Sequence, residues 1–327
     1  GQRSELPPLG TSIMTNWSEL RKSVLGDQKR RMFPPKVKVP TLPAALMKFC
    51  RRADDPRVSP CELASIIETD AGLTCNLLRH VNSSKFALRN KASTAQQALT
   101  LLGIRATRLV LMTTAVQAAA NSKGKLVDLA AFSNSNLERA LFAREIAGVL
   151  KADIDLAFAA SMMQDFLLPM LSDELADDYQ RFLDPRRSTP VELARHEQET
   201  FGWNHALAAG SLMWEWGFPD DLVCAVLLHH KGLEVLADKD LAKTAVSAVA
   251  VAALLPDPFQ QVPGGMEILA KLNQRWPTLA LETMADRVEP AFREQGDPNH
   301  VLVLREFAAP VVEESPEGAE TQLATVS

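Results

Sequence analysis

No stretch of six residues in this chain alternates apolar and polar positions convincingly, while apolar residues recur at three and four along segment after segment. That pattern leaves helix against helix as the way to build a core. Abundant Ala and Leu and a single tyrosine push in the same direction, because they favour helix over strand. The expected fold class is all-α, a two-part helical bundle. With 327 residues, 46% of them hydrophobic, the chain has ample material to bury.

Charge narrows the function classes. Forty acids and 35 bases are mixed along the sequence for a net charge of -5, so no overall basic field draws the molecule onto nucleic acid. The cysteines Cys50, Cys61, Cys75 and Cys224 lack C-x-x-C spacing and read as reduced thiols, as in a cytoplasmic protein. The longest apolar run, Ala245 to Leu255, is about half a bilayer crossing, and the N-terminus carries no signal pattern, so a cytoplasmic location without membrane contact is expected.

Punctuation divides the chain. Residues 1–33 read as an N-terminal extension with one short helix from Trp17, and Pro34, Pro35, Pro40 and Pro43 form an extended entry strap. Ser59-Pro60-Cys61-Glu62 has the form of a capping box, Asp70 caps the next helix, and Gly103 ends another before a long apolar helix opens at Arg105. These helices make a first bundle over 34–120. A second, over 136–240, holds helices from about Asn136, Ile154, Thr189, His205 and Asp220, the last of them running to His230. Residues 241–308 are expected to pack as further helices on the second bundle, and 309–327 to be an acidic disordered tail.

Several short motifs fall in a fixed order: Leu42-Pro43, Leu63-Ala64, Ile66-Ile67, Asp70-Ala71-Gly72-Leu73-Thr74, Leu77-Leu78, Val81-Asn82-Ser83, Leu102-Gly103-Ile104. Ala159 to Leu171, Phe201-Gly202-Trp203-Asn204-His205, Trp216-Gly217-Phe218-Pro219 and His229-His230 continue the series. Together they resemble the HDOD family over about residues 35–235. The resemblance implies an all-helical relative of the HD phosphohydrolases, found in bacterial signalling and regulatory proteins and generally without demonstrated catalysis.

A metal hydrolase of the HD type needs one histidine, then an adjacent His-Asp pair, then further His or Asp groups that converge on an ion. No histidine lies between His80 and His196, so the first histidine and the one of the pair are both missing, and Gln164 stands before Asp165. An uncharged amide is a weak substitute for imidazole. Neighbours on a helix point about 100° apart, so His229 and His230 are not expected to share one coordination sphere. One of them should be a buried hydrogen-bonded remnant facing Asp165 or Gln164, the other a surface group. The reading therefore carries no metal, no cofactor and no catalytic residue, and treats Gln164, Asp165, His205, His229 and His230 as a structural remnant. His205 is expected to hydrogen-bond at a helix start, and His196 and His300 to be exposed.

No Walker loop, G-x-G-x-x-G, H-E-x-x-H or G-x-S-x-G occurs. Trp203, Trp214, Trp216 and Phe218 crowd one region, as core or as an apolar groove. Arg79, Asn82, Ser83, Lys85 and Arg89 lie in or beside a polar, basic loop that could take a phosphate, a nucleotide or a nucleic acid. The expected function is a non-catalytic module that binds a protein partner or a small regulatory ligand. The alternative is a metal-dependent phosphohydrolase or phosphodiesterase with an incomplete ligand set.

Overall fold

A computed structural model describes residues 15–26, 33, 37–83, 91–119, 122–184 and 190–307. Among these residues there is no strand, and sixteen α-helices follow one another with three short 3₁₀ turns. The expected acidic tail from 309 and most of the first 33 residues lie outside the described set.

The first bundle comprises α2 (Ala44–Ala53), α3 (Pro60–Glu68), α4 (Ala71–Val81) and α5 (Ala95–Ala119). Ser59 caps α3 by accepting from the Glu62 amide at 3.1 Å, while the Glu62 carboxylate turns to Arg52 at 2.7 Å instead of closing the box. Asp70 caps α4 through the Leu73 amide at 3.0 Å. Gly103 has φ 78° and ψ 164°, outside the helical region, so α5 is two helical stretches that meet at this glycine, as expected. Leu46, Phe49, Leu63, Ile67, Leu77 and Met112 fill the space between them.

In the second bundle the helices are shorter and more numerous than the periodicity suggests. α6 (Leu129–Leu150) begins seven residues before the expected Asn136, because Asp128 accepts from the amides of Ala130 and Ala131. The helix expected from Ile154 to Leu171 breaks into α7 (Ile154–Met163) and α8 (Leu168–Glu174), with Pro169 in the first turn of α8. α9 (Ala176–Leu183) was not expected; α10 (Leu193–Phe201), α11 (His205–Glu215) and α12 (Asp220–Leu227) follow. The last does not reach His230. Its ladder ends at Leu227, and His229–Lys231 form a 3₁₀ turn leading into α13 (Gly232–Ala237). α14 (Ala245–Ala252) is buried at every residue and packs on α6, α7 and α12. α15 (Gly265–Arg275) and α16 (Leu281–Arg293) are the last α-helices among the described residues, α16 lying on α6.

The segments Ala95–Ala119 and Ile154–Glu174 have the length and hydropathy of a membrane span. The second is 78% buried inside the protein over its most apolar window, which is the setting of a core helix. The aromatic cluster is mostly core too: Trp203, Trp216 and Phe218 are buried, and the partly buried Trp214 is covered by the Arg21 guanidinium of α1 (Trp17–Leu25), 4.0 Å above its ring.

Candidate functional site

Five elements bring polar side chains to one point in the second bundle. The chain leaves α7 at Met163, and Gln164 and Asp165 occupy the turn that follows. His205 is the first residue of α11, placed there by Asn204, whose side chain accepts from the Leu207 amide at 2.9 Å. His229 and His230 sit on the 3₁₀ turn after α12, Arg139 points in from mid-α6, and Asp257 and Gln261 arrive on the loop after α14. Asp165, His205 and His229 are at most 1% exposed, and so is Arg139.

The two oxygens of Asp165 have different surroundings. Oδ2 accepts from the Arg139 guanidinium at 2.9 Å, the Gln261 amide at 3.0 Å and the Gln164 amide at 3.1 Å. Oδ1 accepts no well-aligned hydrogen bond, yet His205 Nε2 stands 3.3 Å from it and His229 Nε2 3.2 Å. Burial alone pushes the Asp165 carboxyl up. The contacts with His205 and His229 and the Arg139 charge outweigh that and hold it well below the usual carboxylate range.

The histidines are oriented from outside. Glu197 on α10 accepts from both the backbone amide and Nδ1 of His205, at 2.8 and 2.6 Å, and from the Tyr179 hydroxyl at 2.6 Å. His229 Nδ1 lies 2.7 Å from the Val226 carbonyl. A carbonyl only accepts, so Nδ1 carries the hydrogen and Nε2 faces inward. His230 Nε2 is 2.8 Å from His205 Nε2, and His230 Nδ1 is buried without a partner. Burial would lower the His205 pKa, but the Glu197 charge and the Asp165 and Glu197 contacts raise it to about 10. Desolvation, reinforced by the neighbouring imidazoles, depresses His230 well below 6.5.

The expectation that His229 and His230 cannot converge fails on this geometry. A continuous α-helix would splay the two side chains, but the backbone has already left α12, and the two rings stand 3.9 Å apart. His230 is part-buried and not a surface group. One ligand atom from each of Asp165, His205, His229 and His230 lies within 4.8 Å of the others, so the four together have the donor chemistry of a cation site. His196 and His300 are not exposed either: His196 packs on Phe182, and His300 stacks on Phe292 with Nε2 3.3 Å from Glu138.

In the polar loop, Asn82 is committed to structure: its amide donates to the Ala92 carbonyl and its oxygen accepts from the Ala92 amide, both at 2.8 Å. Arg79 and Ser83 are exposed, and Lys85 and Arg89 lie outside the described residues. Sequence reasoning missed Arg139, Glu197, Tyr179, Asp257 and Gln261. A signal existed for Arg139, a cation in line at helical spacing with Phe132, Phe142 and Ile146 of α6; Asp257 and Gln261 come from a loop whose path no periodicity reveals.

A helical bundle with a divided His/Asp centre, its leading histidines replaced, defines the class of degenerate HD-like proteins. The chain belongs to the HDOD family: the HDOD domain model matches residues 39–232. No curated protein sequence matches it. Solved structures share the fold at low identity. An HDOD domain protein of unknown function from Geobacter sulfurreducens is 19% identical with a TM-score of 0.56, covering 89% of this chain and 93% of its own. A Shewanella amazonensis SB2B protein, a phosphohydrolase by name only, is 18% identical with a TM-score of 0.59, over 85% of this chain and 100% of its own. A Marinobacter aquaeolei VT8 protein, assigned to signal transduction by name only, is 15% identical with a TM-score of 0.54, over 87% and 67%.

Proposed function

We propose that the chain is a non-catalytic HDOD regulatory module that works by binding a protein partner or a small regulatory ligand in the cytoplasm. The observation that carries this reading is Arg139. Its guanidinium pairs with Asp165 at 2.9 Å and Asp257 at 2.8 Å and donates to the Leu255 carbonyl at 3.0 Å. Two acidic groups of the kind a hydrolase would spend on ions and water are thereby held by a fixed cation that delivers no hydroxide. The four free thiols support a reducing compartment. Purified protein offered phosphodiesters and nucleotides with Mn²⁺ or Fe²⁺ is expected to show no turnover. Hydrolysis that disappears in His230→Ala would reject the reading.

The convergence of Asp165, His205, His229 and His230 favours a second reading, metal-dependent phosphohydrolysis. It predicts turnover in that same screen, and increased turnover when Arg139→Ala frees the second carboxylate.

A further inference from the structure

We propose that Asp165 Oδ1 and the inward nitrogens of His205, His229 and His230 form a closed four-ligand site for one divalent transition-metal ion of the zinc or cobalt kind, tying α7, α11 and the turn after α12 together instead of activating water. The inference rests on the cluster alone and stands whether or not the chain regulates through a partner.

The spacing is that of a coordination shell. Bonds of 2.0–2.1 Å in a tetrahedron place neighbouring ligand atoms about 3.3–3.4 Å apart. Three edges of the cluster measure 3.4 Å (His205 Nε2 to His229 Nε2), 3.3 Å (His205 Nε2 to Asp165 Oδ1) and 3.2 Å (His229 Nε2 to Asp165 Oδ1). The edge from His205 to His230 is shorter at 2.8 Å, and His230, the most exposed of the four, has the freedom to open it.

Orientation points the same way. Glu197 holds His205 Nδ1 and the Val226 carbonyl holds His229 Nδ1, so both rings turn Nε2 inward, the atom each would offer to an ion. Asp165 contributes an oxygen that finds no hydrogen bond although it is buried, while its other oxygen is saturated by three donors.

Charge sets the valence. Asp165, Asp257 and Glu197, all buried, stand at this centre with the buried guanidinium of Arg139. Once a metal displaces the His205 proton, three negative groups and one positive leave two charges, as many as a divalent ion carries. Three imidazoles and one carboxylate suit zinc or cobalt over magnesium or calcium, and four protein ligands leave no open position for a reactive water.

The test uses the full chain stripped with chelator and titrated with Co²⁺, read by bound metal per chain and by visible absorption. The expected result is one Co²⁺ per chain with the intense bands of a four-coordinate ion, displaced by equimolar Zn²⁺. Glu197→Gln, which lies outside the four ligands and removes the charge that supports His205, is expected to weaken Co²⁺ roughly 10–100-fold, and His230→Ala to weaken it further. A Cys61→Ser/Cys75→Ser double variant, lacking the two exposed thiols, should bind as the parent does. Helical circular dichroism identifies any variant that has not folded, in which case Glu197→Gln and the parent spectrum decide. Absence of binding by folded parent, a six-coordinate spectrum, unchanged affinity in folded Glu197→Gln or His230→Ala, or loss of binding in the cysteine variant would each overturn the proposal.

Discussion

Arg139 and Asp165 show how much one buried pair can organise. The guanidinium reaches two carboxylates and a main-chain carbonyl from the middle of a buried helix, one partner on the turn after α7 and two on the loop after α14. Removing it leaves Asp165 and Asp257 as uncompensated buried charges, so Arg139→Ala should cost about 3–5 kcal/mol in metal-free urea unfolding. Asp165→Asn preserves volume and an acceptor for Arg139, and should cost less than Asp165→Ala. Equal losses for Asn and Ala, or Arg139→Ala unfolding with the parent, would show that this pair does not hold the centre.

At the scale of elements, the site depends on how closely helices and loops approach. A β-carbon on Gly265, at the start of α15, would lie 2.1 Å from the backbone oxygen of Leu254, whereas one on Gly210 of α11 would meet the Leu227 side chain at 2.3 Å. Backbone cannot yield as a side chain can. Gly265→Ala should therefore destabilise more than Gly210→Ala, the latter by roughly 1–3 kcal/mol in thermal unfolding. The reverse ranking would mean that the loop carrying Asp257 and Gln261 is free to shift. At the other end, α1 docks on α12 through Arg21, which pairs with Asp220 at 2.6 Å and covers Trp214. Arg21→Ala should loosen α1 by roughly 0.5–2 kcal/mol, seen as faster amide exchange over Trp17–Leu25 with the core unchanged.

Across the whole molecule, the last described segment is fastened to the long α6 by one buried acid. Glu138 accepts from the Leu304 amide at 2.7 Å and meets His300 at 3.3 Å. Burial pushes the Glu138 carboxyl up from its ordinary 4.5, against the pull of the Leu304 and His300 contacts. The folded state thus holds this proton more tightly than the unfolded chain. Its contribution is fully present below pH 4.5 and is lost as pH rises through the folded value. Glu138→Gln removes that titration, so the stability of the parent minus that of the variant should fall as pH is raised from 4 towards 7. A flat difference across that range in urea titrations would contradict the assignment.

Helix content, the capped starts at Ser59 and Asp70, the bend at Gly103 and the family motifs were all legible in the sequence. Each rests on residues within a few positions of one another, where periodicity and capping chemistry act directly. Gln164, Asp165, His205, His229 and His230 could be named the same way, but their mutual geometry could not. Whether His229 and His230 diverge or converge depended on α12 ending at Leu227, and Leu228 there has φ -106°, outside the helical ladder. The partners of Asp165 on its saturated side come from 26 residues earlier in the chain and 96 residues later, besides its neighbour Gln164. Side chains so distant in sequence leave no periodic trace, and they meet only because α6, α7, α12 and α14 pack around a common core and bring them to one place in it.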